Sequence, residues 1–133
     1  MNKTILITAS ILGLISIILG AFGAHALKEL ITVEAQKTFE TGVRYQMYHA
    51  LLLLFIGNVS NVQVKNKKIL FYFVLFGVIL FSGSIYGLAT NSLSSFDFKT
   101  IGFITPIGGL FLIIAWGLLF VNLLKMKPKN DIF

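Results

Sequence analysis

The stretch Ile69-Leu70-Phe71-Tyr72-Phe73-Val74-Leu75-Phe76-Gly77-Val78-Ile79-Leu80-Phe81-Ser82-Gly83-Ser84-Ile85-Tyr86-Gly87-Leu88-Ala89 decides the fold. It lies inside a run of 28 residues without a charge, between Lys68 and Asp97. A helix needs about 20 predominantly apolar residues to cross the hydrocarbon core of a bilayer. Working outward, three more charge-free intervals reach that length: 24 residues between Lys3 and Lys28, 20 between Arg44 and Lys65, and 25 between Lys99 and Lys125. Together the four intervals hold 97 of the 133 residues. A water-soluble bundle needs polar faces on its helices, and these runs lack the residues to build them. The expectation is an all-α, four-helix transmembrane bundle in one integral-membrane domain, 1–133, with spans at about 4–27, 45–62, 69–89 and 101–124.

Composition excludes several classes. Charged residues make up 12% of the chain, against roughly a quarter in soluble domains. There is no cysteine, hence no disulfide framework and no thiolate metal site. A net charge of +6 could suggest nucleic acid, but the charges sit in the short gaps between apolar runs, where membrane topology puts them. One set of gaps carries Lys3, Lys65, Lys67, Lys68, Lys125, Lys127 and Lys129 against Asp131 alone. The other carries Lys28, Lys37, Arg44 and Lys99, balanced by Glu29, Glu34, Glu40 and Asp97. Seven basic residues against four place both termini in the cytoplasm. The first run, Thr4 to Ala26, is read as a span and not a secretion signal, despite Ala24-His25-Ala26, because it exceeds the roughly 7–15 residues of a signal core.

Small residues mark where helices meet. Gly13, Ser16, Gly20 and Ala24 share one stripe of the first helix, with Gly23 beside it. Such stripes let helices approach closely where van der Waals contact replaces the absent hydrophobic drive. Gly83 and Gly87 in the third run and Gly108 and Gly109 in the fourth are assigned to packing in the same way. Thr32 followed by Glu34 reads as a helix cap. Thr105-Pro106 either starts the last helix, with Thr105 as its cap, or kinks a longer one; the residues leave both open.

Candidate functional residues gather in Phe39-Glu40-Thr41-Gly42-Val43-Arg44-Tyr45-Gln46-Met47-Tyr48-His49. Glu34, Lys37, Glu40 and Arg44 share a helix face with alternating sign, with Ala35, Phe39, Gly42 and Val43 opposite. Arg44, Tyr45, Gln46 and Tyr48 are expected at the outer interface. There they serve as aromatic and snorkelling anchors, or Arg44 holds an anionic headgroup or a partner's carboxylate, with Glu40 as a competing partner. Counted inward from Lys28 and Arg44, His25 and His49 fall at similar depth. Such a pair permits a haem or a quinone, but interhelical hydrogen bonding is the expectation, with no metal and no cofactor. No intramembrane carboxylate completes a zinc site. No span contains Asp, Glu, Lys or Arg, which argues against an ion-coupled transporter. No catalytic constellation is present, so no enzymatic activity is expected.

Four motifs carry a resemblance. Gly20-Ala21-Phe22-Gly23-Ala24-His25-Ala26-Leu27 resembles the first signature of the YgdD-like family of small membrane proteins of unknown function. Thr41 to His49, Phe81-Ser82-Gly83-Ser84-Ile85-Tyr86, and Ile104-Thr105-Pro106-Ile107-Gly108-Gly109 with Trp116 are similar to its later motifs, in order, over nearly the whole chain. The resemblance implies a multi-pass bacterial inner-membrane protein with four spans and implies no activity. The expected role is structural or accessory, with membrane lipid or another membrane protein as partner and a homo-oligomer compatible with the small-residue stripes. Runners-up are a redox accessory using His25 and His49, and a small channel or carrier.

Overall fold

The structure, a computed structural model, describes residues 2–126. Lys127, Lys129 and Asp131, which entered the charge count, lie outside the described residues. Within them the chain is all-α and has no strand. Four long helices follow in order: α1 (Asn2–Ala24), α2 (Val33–Asn58), α3 (Val64–Ala89) and α4 (Ile104–Leu124). Each packs on its neighbours in the sequence, in antiparallel succession. The α1–α2 and α3–α4 connections lie at one end, here the long-loop end, and the short α2–α3 connection lies at the other.

Local chemistry sets the boundaries. Thr32 caps α2, its side chain accepting from the Ala35 amide at 3.1 Å, with Glu34 in the positive first turn. The helix then runs without a break through the charged segment, so the stretch expected at 45–62 is the C-terminal half of a longer element that stops at Asn58. There the Asn58 side chain donates back to the Leu54 carbonyl at 2.7 Å, and Val59 turns extended. The basic connection from Val64 to Lys68 is the opening of α3. Lys67 within it is buried, its Nζ donating to Asn2 Oδ1 at 3.1 Å across to α1.

The last helix starts earlier than Thr105-Pro106 suggested. Ile104 is its first residue and Phe103 its cap, so Pro106 occupies the third helical position. The first four helical N–H groups have no partner within the helix, so a proline there costs no hydrogen bond and forces no kink. Thr105 is not the cap. Its hydroxyl meets Ser84 Oγ at 2.6 Å and ties α4 to α3.

Three stretches are long and apolar enough to cross a membrane: Asn2–Ala24, Val64–Ala89, and Phe98–Leu124, which adds a short 3-10 turn to α4. All four helices share one core, with Ile5 and Ala9, Leu53 and Ile56, Val74 and Val78, and Leu112 and Ala115 as its centre. A smaller cluster of Leu27, Phe39 and Ala89 closes the long-loop end.

The glycines divide sharply. An added Cβ at Gly108 would fall on the backbone of Leu80 and Phe81, so α4 rests directly on α3 there. At Gly23 it would meet the Phe39 ring at 2.9 Å, and at Gly87 the Phe98 ring at 2.6 Å. Gly42, Gly57 and Gly77, not assigned to packing from the sequence, are equally tight. Gly13, Gly20 and Gly109 leave ordinary contact distances of 3.9, 3.6 and 3.5 Å. Gly83 corrects its assignment as a packing glycine: it is exposed, and a Cβ there meets nothing within 4 Å, because α3 turns this position away from its neighbours. Gly108→Ala is therefore expected to destabilise the bundle by about 1–3 kcal/mol through overpacking, while Gly83→Leu leaves it unchanged. Melting temperatures in detergent check both; equal behaviour of the two variants contradicts the assignment.

Candidate functional site

The motif on α2 splits by helical phase. Phe39, Gly42, Gln46, His49, Leu53 and Ile56 are buried, at steps of three and four residues. Glu40, Arg44, Tyr48, Leu51 and Phe55 are exposed on the other side. The inward polar residues are all engaged. Gln46, 4% exposed, donates from Nε2 to the Leu12 carbonyl of α1 at 2.9 Å and accepts from the Tyr86 hydroxyl of α3 at 2.6 Å. Ser82 Oγ donates to the Gly42 carbonyl at 2.7 Å. Toward the long-loop end, Gln36 donates to the Gly23 carbonyl at 3.2 Å, and Phe39 packs between the rings of Phe22 and Tyr86. Among the described residues no buried side-chain nitrogen or oxygen is left without a partner.

His49 is 4% exposed and joins α2 to α4. Its Nδ1 lies 2.6 Å from the Tyr45 carbonyl, and its Nε2 lies 3.2 Å from Trp116 Nε1. The indole is a donor only, so Nε2 accepts and Nδ1 carries the proton, which fixes one neutral tautomer. The lone pair that a haem iron would need is turned to Trp116.

His25 is elsewhere. It is exposed in the turn after α1. Gly23 faces Phe39 while Gly13 faces Ala50, so His49 lies roughly ten residues, about 15 Å of helix rise, below His25. The structure does not bring the two histidines together. Reckoning their depth from Lys28 and Arg44 failed because α2 runs back along α1 from about Phe39 onward, so that Arg44 already lies level with Gly20 and His49 lies further down. Among the described residues no three His, Asp or Glu side chains converge on a possible metal position.

The outward residues sit over two grooves. One, of about 540 Å³, lies between α1 and α2; Gly20, Ala21 and Ser16 line the α1 side, and Val43, Met47, Arg44 and Tyr48 the α2 side. Arg44 Nη2 donates to Thr41 Oγ1 at 3.2 Å, one turn toward the long-loop end; this, and not Glu40, is its hydrogen-bond partner. The second groove, of about 420 Å³, lies between α2 and α4 over Phe81, with Tyr45, His49 and Trp116 on its walls. Tyr45 stands 5.1 Å from the Phe81 ring and 5.6 Å from Tyr48, centroid to centroid. Glu40, four residues before Arg44, is exposed and does not line the groove.

Tyr86, Ser82, Gln36 and Trp116 were not among the candidates picked from the sequence. Tyr86, Ser82 and Trp116 are polar groups inside apolar runs, and that position obliges each to find a partner. Gln36 lies in the charged segment, where nothing in the sequence sets it apart.

Buried amides and hydroxyls satisfied between helices, with apolar surface outside, define an integral membrane helical protein. The chain belongs to the family described as "Protein of unknown function (DUF423)", whose model matches residues 19–109. It is 35% identical over 124 residues to the UPF0382 membrane protein of Staphylococcus saprophyticus, covering 93% of this chain and 99% of that one. It is 36% identical over 123 residues to the UPF0382 membrane protein of Staphylococcus epidermidis, covering 92% and 97%. The UPF0382 inner membrane protein YgdD of Escherichia coli K12 is 34% identical over 133 residues, covering 97% and 95%. No solved structure matches the chain.

If Trp116 is held by His49, His49→Phe should shift the emission of Trp116, the single tryptophan of the chain. His25→Ala should not. Gln46→Leu should cost about 1–3 kcal/mol, because it strands the Tyr86 hydroxyl. Gln46→Leu with Tyr86→Phe should cost less than the sum of the single changes, since both partners are then gone. A double-mutant cycle on detergent melting temperatures measures the coupling.

Proposed function

We propose that this protein is a non-enzymatic accessory component of the cytoplasmic membrane. In this reading it crosses the bilayer four times, keeps both termini inside, and docks a membrane protein or lipid through the outward residues of α2. The observation that carries the reading is the split of the motif. Gln46 and His49 are consumed by the bundle, whereas Arg44, Tyr45 and Tyr48 stand exposed at the edges of two grooves. A charged and aromatic set that the fold does not use for its own cohesion is what a docking surface requires.

The fourth crossing falls to α2. Its 26 residues rise about 39 Å, more than the roughly 30 Å of a hydrocarbon core. Its polar residues Gln46 and His49 are buried and bonded, so they present nothing to lipid. The charge asymmetry of seven against four supports cytoplasmic termini.

With no native cysteine as background, Ser94→Cys should react with an impermeant maleimide in intact cells, and Lys125→Cys only after lysis. The reverse pattern sinks the orientation. Docking is tested by co-purification in nanodiscs, with everything retained identified. Arg44→Lys should lower retention, because a lysine cannot reproduce a planar fork, whereas Lys37→Arg should leave it unchanged. Equal retention in both variants returns Arg44 to simple interfacial anchoring.

A further inference from the structure

The groove between α1 and α2 has a polarity along its length. Its cation is at one end. Val43 faces Gly20, four residues before the end of α1, so Arg44 leaves the helix about a turn, some 6 Å, inside that end. Its guanidinium reaches back to Thr41, toward the long-loop end, as a snorkelling side chain does. Level with it the wall is Gly20 and Ala21, and below it Ile17 and Met47. Of the polar lining groups there, Tyr48 stands exposed at the rim, and Ser16 is buried and spends its hydroxyl on the Leu12 carbonyl at 2.8 Å. The groove thus offers a fork of N–H donors at headgroup depth and an apolar trough running toward the bilayer centre.

We propose that this groove binds one glycerophospholipid, with its phosphodiester on Arg44 and an acyl chain running past Gly20 and Ala21 and down along Ile17 and Met47. The proposal rests on the docking reading of Arg44 above and names its ligand class. Three features point to this occupant. A guanidinium has five N–H donors in a planar fork that matches two phosphate oxygens, and among the described residues its one hydrogen-bond partner is Thr41. The charge complements the phosphate at the depth where a phospholipid carries it. About 540 Å³ lies within the range of roughly 300–1,000 Å³ typical of small-molecule sites, and the bare floor at Gly20 and Ala21 leaves that volume to the chain. A partner's carboxylate would satisfy Arg44 and leave the trough below it unused.

The test uses the full chain, delipidated in detergent and titrated with phosphatidylglycerol, with bound lipid counted by native mass spectrometry. The wild type should retain a single phosphatidylglycerol per chain, and an uncharged diacyl glycolipid should bind far more weakly. Arg44→Ala should weaken phosphatidylglycerol about tenfold, the effect of losing hydrogen bonds to a charged group. Ala21→Phe, a change at an exposed position, should fill the trough and abolish retention, with an unchanged melting temperature as the check that it folds. Lys37→Ala, an exposed cation on the same helix outside the groove, should bind as wild type does. Equal binding of glycolipid and phosphatidylglycerol, equal binding by Arg44→Ala, or displacement by inorganic phosphate at equal concentration each overturns the site. Capture of a membrane protein or a second copy by the wild type, lost in Ala21→Phe and with no lipid bound, also overturns it while leaving the docking reading intact.

Discussion

The fold depends on placing one primary amide in an apolar interior. Gln46 brings two N–H donors and a carbonyl into the bundle, and leaving them unbonded would cost several kcal/mol. The chain meets this demand with two helices at once, α1 through a backbone carbonyl and α3 through the Tyr86 hydroxyl. The register of three helices follows. Moving α3 by one residue rotates it about 100° and carries Tyr86 away from Gln46. Gly42, one turn up, belongs to the same device: an added Cβ would meet the Tyr86 ring at 2.8 Å. The glycine lets the ring pass, the ring delivers its hydroxyl to the amide, and Ser82 closes the arrangement on the Gly42 carbonyl. A glycine and a glutamine four residues apart thus fix the height and the rotation of α3.

The attachment of α4 follows a different logic. Gly108 lets its backbone lie against Leu80 and Phe81, which maximises dispersion contact where no hydrophobic drive operates between helices. Two polar pairs then set direction and rotation. Ser84 with Thr105 acts near the start of α4, and His49 with Trp116 acts three turns further along. Because Trp116 can only donate, it also selects the histidine tautomer. The backbone contact brings the helices together, and the two pairs choose one rotation among those that close packing alone would allow.

Much of the fold was legible in the sequence, for a physical reason. Excluding charge from a long run is close to a necessary condition for crossing a bilayer, and charge-free runs are read without knowing any contact. The N-cap at Thr32 was legible because a cap is local chemistry. Depth was not. Lys28 and Arg44 looked like two marks on one surface, yet α2 folds back along α1 and carries Arg44 to the level of Gly20. Charges at steps of three and four on Glu34, Lys37, Glu40 and Arg44 do mark an exposed face, but an exposed face extends down a helix as well as above it. Nor does composition reveal α2 as readily as its neighbours. Gln46 and His49 lower its average hydropathy as though they faced lipid, when both are buried between helices. Gly83 failed for a similar reason: a small residue permits close approach, but only its phase on the helix decides whether anything approaches.

The extent of the family match sharpens what the side chains are for. The matched residues, 19–109, take in all three connections, both at the long-loop end and the short one between α2 and α3. They contain both partners of Gln36 with Gly23, Gln46 with Tyr86, Ser82 with Gly42, Ser84 with Thr105, and Gly108 with Phe81. The acceptor that Gln46 finds outside that segment is a main-chain carbonyl at Leu12, which any residue would provide. Most of the side-chain hydrogen bonds between helices thus gather toward one end, while the other end is held by apolar contacts such as Ile5, Leu53, Ile56 and Leu70, by the close approach of Leu6 to Gly57, and by the hydrogen bond from Lys67 to Asn2. A bundle that is tied by specific bonds at one end fixes the geometry of whatever stands on the outside of that end. Arg44 sits there, one helix face away from Gln46, so its position relative to α1 is set by the same bonds that set the fold. That rigidity is what a groove needs in order to present a charge at one fixed depth in the membrane.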